Sequence, residues 1–156
     1  MGGVSVDWTY FLPCLWAFLA CAGFSIIFNI CSVSGTLICC VGGAWGWLVY
    51  LLVLLTGASD LMGYFVAGMA IAAYSELMAR IRKCPVTGYL LISFFPLVPG
   101  AGIYYTMLYA MRGEAALAAE QGMHTLGIAG CLALGVLVMS SLVRMIITLR
   151  GKRRKH

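Results

Sequence analysis

The sequence predicts an all-α integral membrane protein of about five transmembrane helices, the fourth broken between Pro96 and Gly100. The N-terminus is expected outside and the C-terminus in the cytoplasm. Three observations lead there. The 156 residues are 63% hydrophobic and only 10% charged, whereas soluble domains are about half apolar and about a quarter charged. The charges gather almost entirely at the N-terminus, at 76–83, at 112–120 and from Arg144 onward, with long, nearly uncharged runs between. Those runs have the length a bilayer requires, since a hydrocarbon core of about 30 Å is crossed by roughly 20 apolar helical residues. No soluble domain fits between them, so residues 1–156 read as one membrane domain ending in a basic tail, 148–156.

The first span is 11–30, with Trp8 and Tyr10 at its start, where amphipathic rings favour the interface. "CSVSGT" (31–36) turns the chain into the second span, 37–55. Trp45 and Trp47 lie too deep in that span for a simple interfacial belt; they pack against neighbouring helices or face a cavity or partner. "TGASD" (56–60) leads to the third span, 61–78, where Tyr64 is a further interfacial ring. "ARIRKCP" (79–85) is a basic turn closed by Pro85, and the fourth span follows at 86–111. The longest link, "RGEAALAAEQGMH" (112–124), reads as a short helix at the surface before the fifth span, 126–147. Small residues recur at helical spacing: Gly42 and Gly46; Gly63, Ala67, Gly68 and Ala72; Gly127, Gly130 and Gly135. In lipid, helices associate by close backbone approach, which small residues permit.

Orientation follows from the basic residues. With five spans, Arg80, Arg82, Lys83, Arg144, Arg150, Lys152, Arg153, Arg154 and Lys155 fall on one side and Arg112 alone on the other. The first side is therefore the cytoplasm. The tail "RGKRRKH" holds the C-terminus inside and can attract anionic lipid. "MGGVSVDWTY" has no basic residue, so no secretory signal is expected, and it matches a myristoylation pattern only in part.

Several functions are disfavoured. The net charge of +5 sits beside apolar spans and does not indicate nucleic acid. The seven cysteines show no ligand-like spacing with histidine and read as small buried hydrophobes. There is no phosphate-binding Gly-rich loop with lysine and no HExxH, so neither enzyme nor primary pump is expected, and no cofactor or metal.

What remains is polar groups at membrane depth. Glu76 lies near the inner end of the third span with Arg80 one turn on: an interfacial pair, or a proton-coupling or cation site. Asn29 caps its helix, bonds across to another, or contacts a polar substrate. The fourth span carries the most specific feature. Proline donates no backbone hydrogen bond, so Pro96 deprives the Ile92 carbonyl of its partner and Pro99 deprives that of Phe95. Gly100 and Gly102 let the backbone leave helical geometry. Non-helical backbone at this depth is tolerated when buried in protein or lining a watery cavity, and transporters use such breaks to bind ions and carboxylates. A half-helix beginning near Gly100, with the hydroxyls of Tyr104 and Tyr105 close behind, suits an anionic group; a plain structural kink is the alternative.

"GFSIIFN" (23–29), "PLVPGAGIYYTM" (96–107) and the five-span length give the chain a resemblance, over about Cys21 to Arg144, to a known family. It looks like the small subunit of the split threonine/serine exporters. It is also similar to the C-terminal half of the single-chain exporters and to the smaller partner of the two-component succinate exporter of enteric bacteria. The resemblance implies a multi-pass protein of the bacterial inner membrane and secondary export of small hydrophilic metabolites, amino acids or dicarboxylates. It further implies a larger membrane subunit of the same family as partner. A non-transporting assembly or regulatory subunit, and a self-assembled homo-oligomeric channel, are the competing readings.

Overall fold

The computed structural model describes residues 12–28 and 33–153, which are helical almost throughout. The helices are α1 (Leu12–Ile27), α2 (Val33–Leu55), α3 (Asp60–Arg82), α4 (Val86–Phe94), α5 (Gly100–Met111) and α6 (Ala115–Arg153), with a 3-10 turn at Phe95–Leu97. Among the described residues, α2, α3 and the 115–147 part of α6 are long and apolar enough to cross a membrane. Val86–Leu97 and Gly100–Met111 meet that test as a pair bent by 50°. The broken fourth segment expected from the prolines is therefore present. α1 is apolar but 16 residues long; the expected first span, 11–30, runs past it at both ends onto residues outside the described ones.

Turn chemistry sets the ends. α2 stops at Gly57, whose φ of 81° is the left-handed conformation glycine adopts freely. α3 stops at Lys83, left-handed at φ 54°, with the Cys84 amide turned back to the Ala79 carbonyl and Pro85 barring continuation. α5 ends in a Schellman motif: the Gly113 amide bonds the Ala110 carbonyl and the Glu114 amide bonds that of Tyr109, with Gly113 at φ 78°. One difference from the sequence reading is plain. The link 112–124 is not a separate surface helix; from Ala115 it forms the first turns of α6, a single helix of 39 residues. Its alanines and glutamates are good helix formers, and Gly113 is where the chain turns.

Contacts fix the directions. Gly42 lies by Tyr74, Gly46 by Ile71 and Gly63 by Tyr50 and Leu54, so α2 and α3 are antiparallel. Asp60 meets His124, Gly127 meets Leu61, Gly68 meets Leu132 and Gly135 meets Phe65, so α6 runs parallel to α3. Gly102 lies on Thr125 and Gly122 near Thr106, which makes α5 antiparallel to the start of α6. Since His124 is level with the first residue of α3, residues 115–123 and the α5 beside them extend roughly 13 Å beyond that end of the bundle.

The core has two parts. Around one gather Cys21, Cys39, Cys40, Ala79, Tyr89 and Ile92, from α1, α2, α3 and α4. Ala67, Ile71, Leu97, Ile128 and Leu132 form the other, with Trp47, Tyr50 and Phe94 packed against it. The small residues picked out by spacing are the contact points. A side chain at Gly46 would strike Ile71, and one at Gly68 or Gly135 would strike the backbone of Leu132 or Phe65. Gly130 is the exception, with open space around it.

Candidate functional site

The break lies level with the middle of α3. Leu97 is buried with Ile71 in the second core cluster, and Pro96 seats against Gly43 of α2. Both orphaned carbonyls find partners. The Ile92 carbonyl, which Pro96 cannot serve, accepts the Phe95 amide and, at 3.3 Å, the Cys21 thiol of α1. The Phe95 carbonyl accepts the Val98 amide at 3.2 Å. Phe24 of α1 stacks on Phe95 with ring centres 4.2 Å apart. The Ser93 hydroxyl donates to the Cys39 carbonyl and the Tyr74 hydroxyl to that of Ile38, fastening α4 and α3 to the same stretch of α2.

Beyond Leu97 the backbone opens. Val98 is extended, and Pro99 at φ −76° and ψ 57° forms an inverse γ-turn, in which the Gly100 amide bonds the Val98 carbonyl at 2.7 Å. α5 then starts without a side-chain cap. Its N-terminus carries the partial positive charge of uncapped amides. Gly100 is exposed, with no atom within 4 Å of where a Cβ would stand. Tyr104 and Tyr105 are 62% and 47% exposed on the outer surface of α5. Pro96, Pro99, Gly100, Tyr104 and Tyr105 thus follow one another across a single feature, packed at Pro96 and open at Gly100 and at the two tyrosines. Two buried polar atoms, Trp47 Nε1 and Ser75 Oγ, have no hydrogen-bond partner among the described residues. Trp47 packs into the cluster that holds Leu97, whereas Trp45 is exposed.

Glu76 belongs to another level. It is five residues beyond Ile71 on α3, about 8 Å along the axis. Its Oε2 accepts from Arg80 Nη2 at 3.1 Å, the carboxylate side chain being 8% exposed and the arginine 44%. That burial separates it from an ordinary surface pair. Asn29 lies outside the described residues. Among those described, no group of three or more His, Cys, Asp or Glu side chains could hold a metal ion.

The sequence reading passed over one constellation. At the α5-bearing end of the bundle, the Tyr50 hydroxyl donates to Asp60 Oδ1, and His124 Nε2 stands 3.6 Å from Asp60 Oδ2. Tyr64 packs on Tyr50 with ring centres 4.6 Å apart, and Trp47 on Tyr50 at 5.4 Å. The available signal was the Asp60/Tyr64 spacing of one helical turn; His124, last residue of the link read as a short surface helix, carried no sign that it would stand beside Asp60.

An α-helical bundle with several membrane-length apolar segments, one broken level with the middle of α3 and re-satisfied by neighbouring helices, is the build of a multi-pass membrane protein. The family model described as "Threonine/Serine exporter, ThrE" matches residues 13–142, and the chain belongs to that family. No curated protein and no solved structure matches it.

Proposed function

We propose that this chain is the smaller membrane subunit of a two-component secondary exporter, working with a larger membrane subunit of the same family in the bacterial inner membrane. Its cargo is a small hydrophilic metabolite, threonine or serine or a dicarboxylate such as succinate. In this reading five spans cross the bilayer, the first completed by residues flanking α1. The basic ends of α3 and α6 face the cytoplasm and the α5 hairpin faces outward.

The observation that carries the reading is the break itself. Its packed side has every expected orphan carbonyl satisfied, while its other side opens at Gly100 into free space at an uncapped helix N-terminus. A carboxylate, which amino acids and dicarboxylates share, suits those amides. Asn29 and the Tyr104 and Tyr105 hydroxyls are the further path candidates. Glu76, a buried carboxylate on a spanning helix, is the coupling candidate.

The test is efflux from loaded cells expressing both subunits. Space is open where a Cβ at Gly100 would stand, so with Gly100→Leu the complex should assemble while export falls at least tenfold. Pro99→Ala should act alike, and Glu76→Gln should uncouple efflux from the ion gradient. Normal export from both break variants would remove the path from this chain. It would favour the second reading, an assembly subunit whose outward-facing α5, with no buried residue, docks on the larger chain.

A further inference from the structure

The Asp60–His124 contact joins two helices at one sensitive place. Asp60 is the first residue of α3, where a carboxylate is favoured by the helix dipole. His124 is on α6, and the next residue, Thr125, is the one on which Gly102 of α5 rests. Thr125 is buried, with its hydroxyl turned back to the Gln121 carbonyl. The pair therefore stands where α6 leaves α3 and begins to carry α5. It is also reachable, Asp60 and His124 being 38% and 49% exposed.

The groups around it are few. α3 supplies Asp60 and Tyr64, and α2 supplies Tyr50, whose hydroxyl already occupies the other carboxylate oxygen. α6 has Glu120 one turn earlier. α5, packed on the same turns of α6, carries the phenols Tyr104, Tyr105 and Tyr109, with Arg112 and Glu114 in the turn that follows. With Oδ1 fixed by a phenol, Oδ2 faces an imidazole that is a cation only when protonated. Imidazole is the side chain that changes charge near neutral pH.

We propose that Asp60 and His124 form a proton-binding site on the α5-bearing end of the bundle, in which protonation of His124 clamps α6 to α3 and so holds the α5 hairpin. Resting on the exporter reading above, this is the site at which external protons act on the broken helix. The sign follows from the charges. The clamp is engaged while the imidazole is protonated and the carboxylate ionised. It is absent whenever the imidazole is neutral or the carboxylate protonated, because either change removes one of the two charges.

A double-mutant cycle of Asp60→Asn and His124→Gln in the full chain, in lipid nanodiscs, tests the clamp. The readout is hydrogen-exchange protection of residues 100–124, corrected for the intrinsic pH dependence of exchange. At about pH 5.5 the two substitutions should be coupled, by about threefold in protection, as for a part-exposed ion pair. At about pH 8 the coupling should vanish. Glu120→Gln should leave the cycle unchanged, and Tyr50→Phe, which keeps both partners, should retain the pH dependence. Additivity at both pH values overturns the pair. Coupling that is equal at both overturns the proton as its ligand. Efflux from the two-subunit complex provides the second arm. Dependence on external pH should be present in the wild type and absent in His124→Gln; a pH-insensitive wild type overturns the role in transport. A wild-type complex that exports nothing counts against the exporter reading, and the exchange data still decide the proton site.

Discussion

α4 and α5 are two halves of one broken segment, yet they live in different surroundings. α4 buries Tyr89, Ile92 and Ser93 and touches α1, α2 and α3. α5, of similar composition and slightly longer, buries nothing and rests on α6 through Gly102 and Thr106. Apolarity does not separate them, because in a bilayer an apolar side chain is as comfortable against lipid as against protein. What separates them is partners for the backbone. The proline side of the break needs donors for freed carbonyls and so lies where Cys21 and the 3-10 turn supply them, whereas α5 satisfies its own backbone from Gly100 on. The break divides a half packed among three helices from a half that, among the described residues, rests chiefly on α6.

The largest effect should come from the contact that fixes α6 to α3. A side chain at Gly135 meets the Phe65 carbonyl and the Met69 amide, which are backbone and cannot turn aside. Gly135→Leu should therefore cost about 3 kcal/mol, read as lost thermal stability in detergent, while Gly100→Ala, with open space around it, should change it by less than about 0.5 kcal/mol. Equal losses would erase the distinction between the packed helix faces and the open start of α5. Next comes truncation. Ile92 is 1% exposed and Met107 65%. In lipid the cost is lost contacts and a cavity rather than transfer from water, so Ile92→Ala should cost about 2 kcal/mol and Met107→Ala little. The smallest effect sharpens the account of the break. Cys21→Ala removes the thiol donor to the Ile92 carbonyl and should cost about 1 kcal/mol, whereas Cys21→Ser, which keeps a donor, should recover most of it in the same measurement.

Local chemistry carried most of the fold into the sequence. Apolar run length gave α2, α3, the bent α4–α5 pair and most of α6, proline and glycine gave the break, and spaced glycines gave the contact stripes, because each acts on its own few residues. What the sequence did not disclose depends on which helices meet. Cys21 reads as one more apolar cysteine until α1 lies beside α4. His124 reads as the end of a surface link until that link is seen to be the start of α6, running parallel to α3. The burial of Glu76 is likewise a property of α3 among its neighbours, since its sequence context, with Arg80 one turn away, is that of an interfacial pair.

The uninterrupted length of α6 has a mechanical consequence. At 39 residues it measures about 58 Å, nearly twice a hydrocarbon core. Its first turns carry α5, and its later turns lie locked along α3 at Leu132 and Gly135. One continuous rod thus joins the α5-bearing end of the bundle to its basic end.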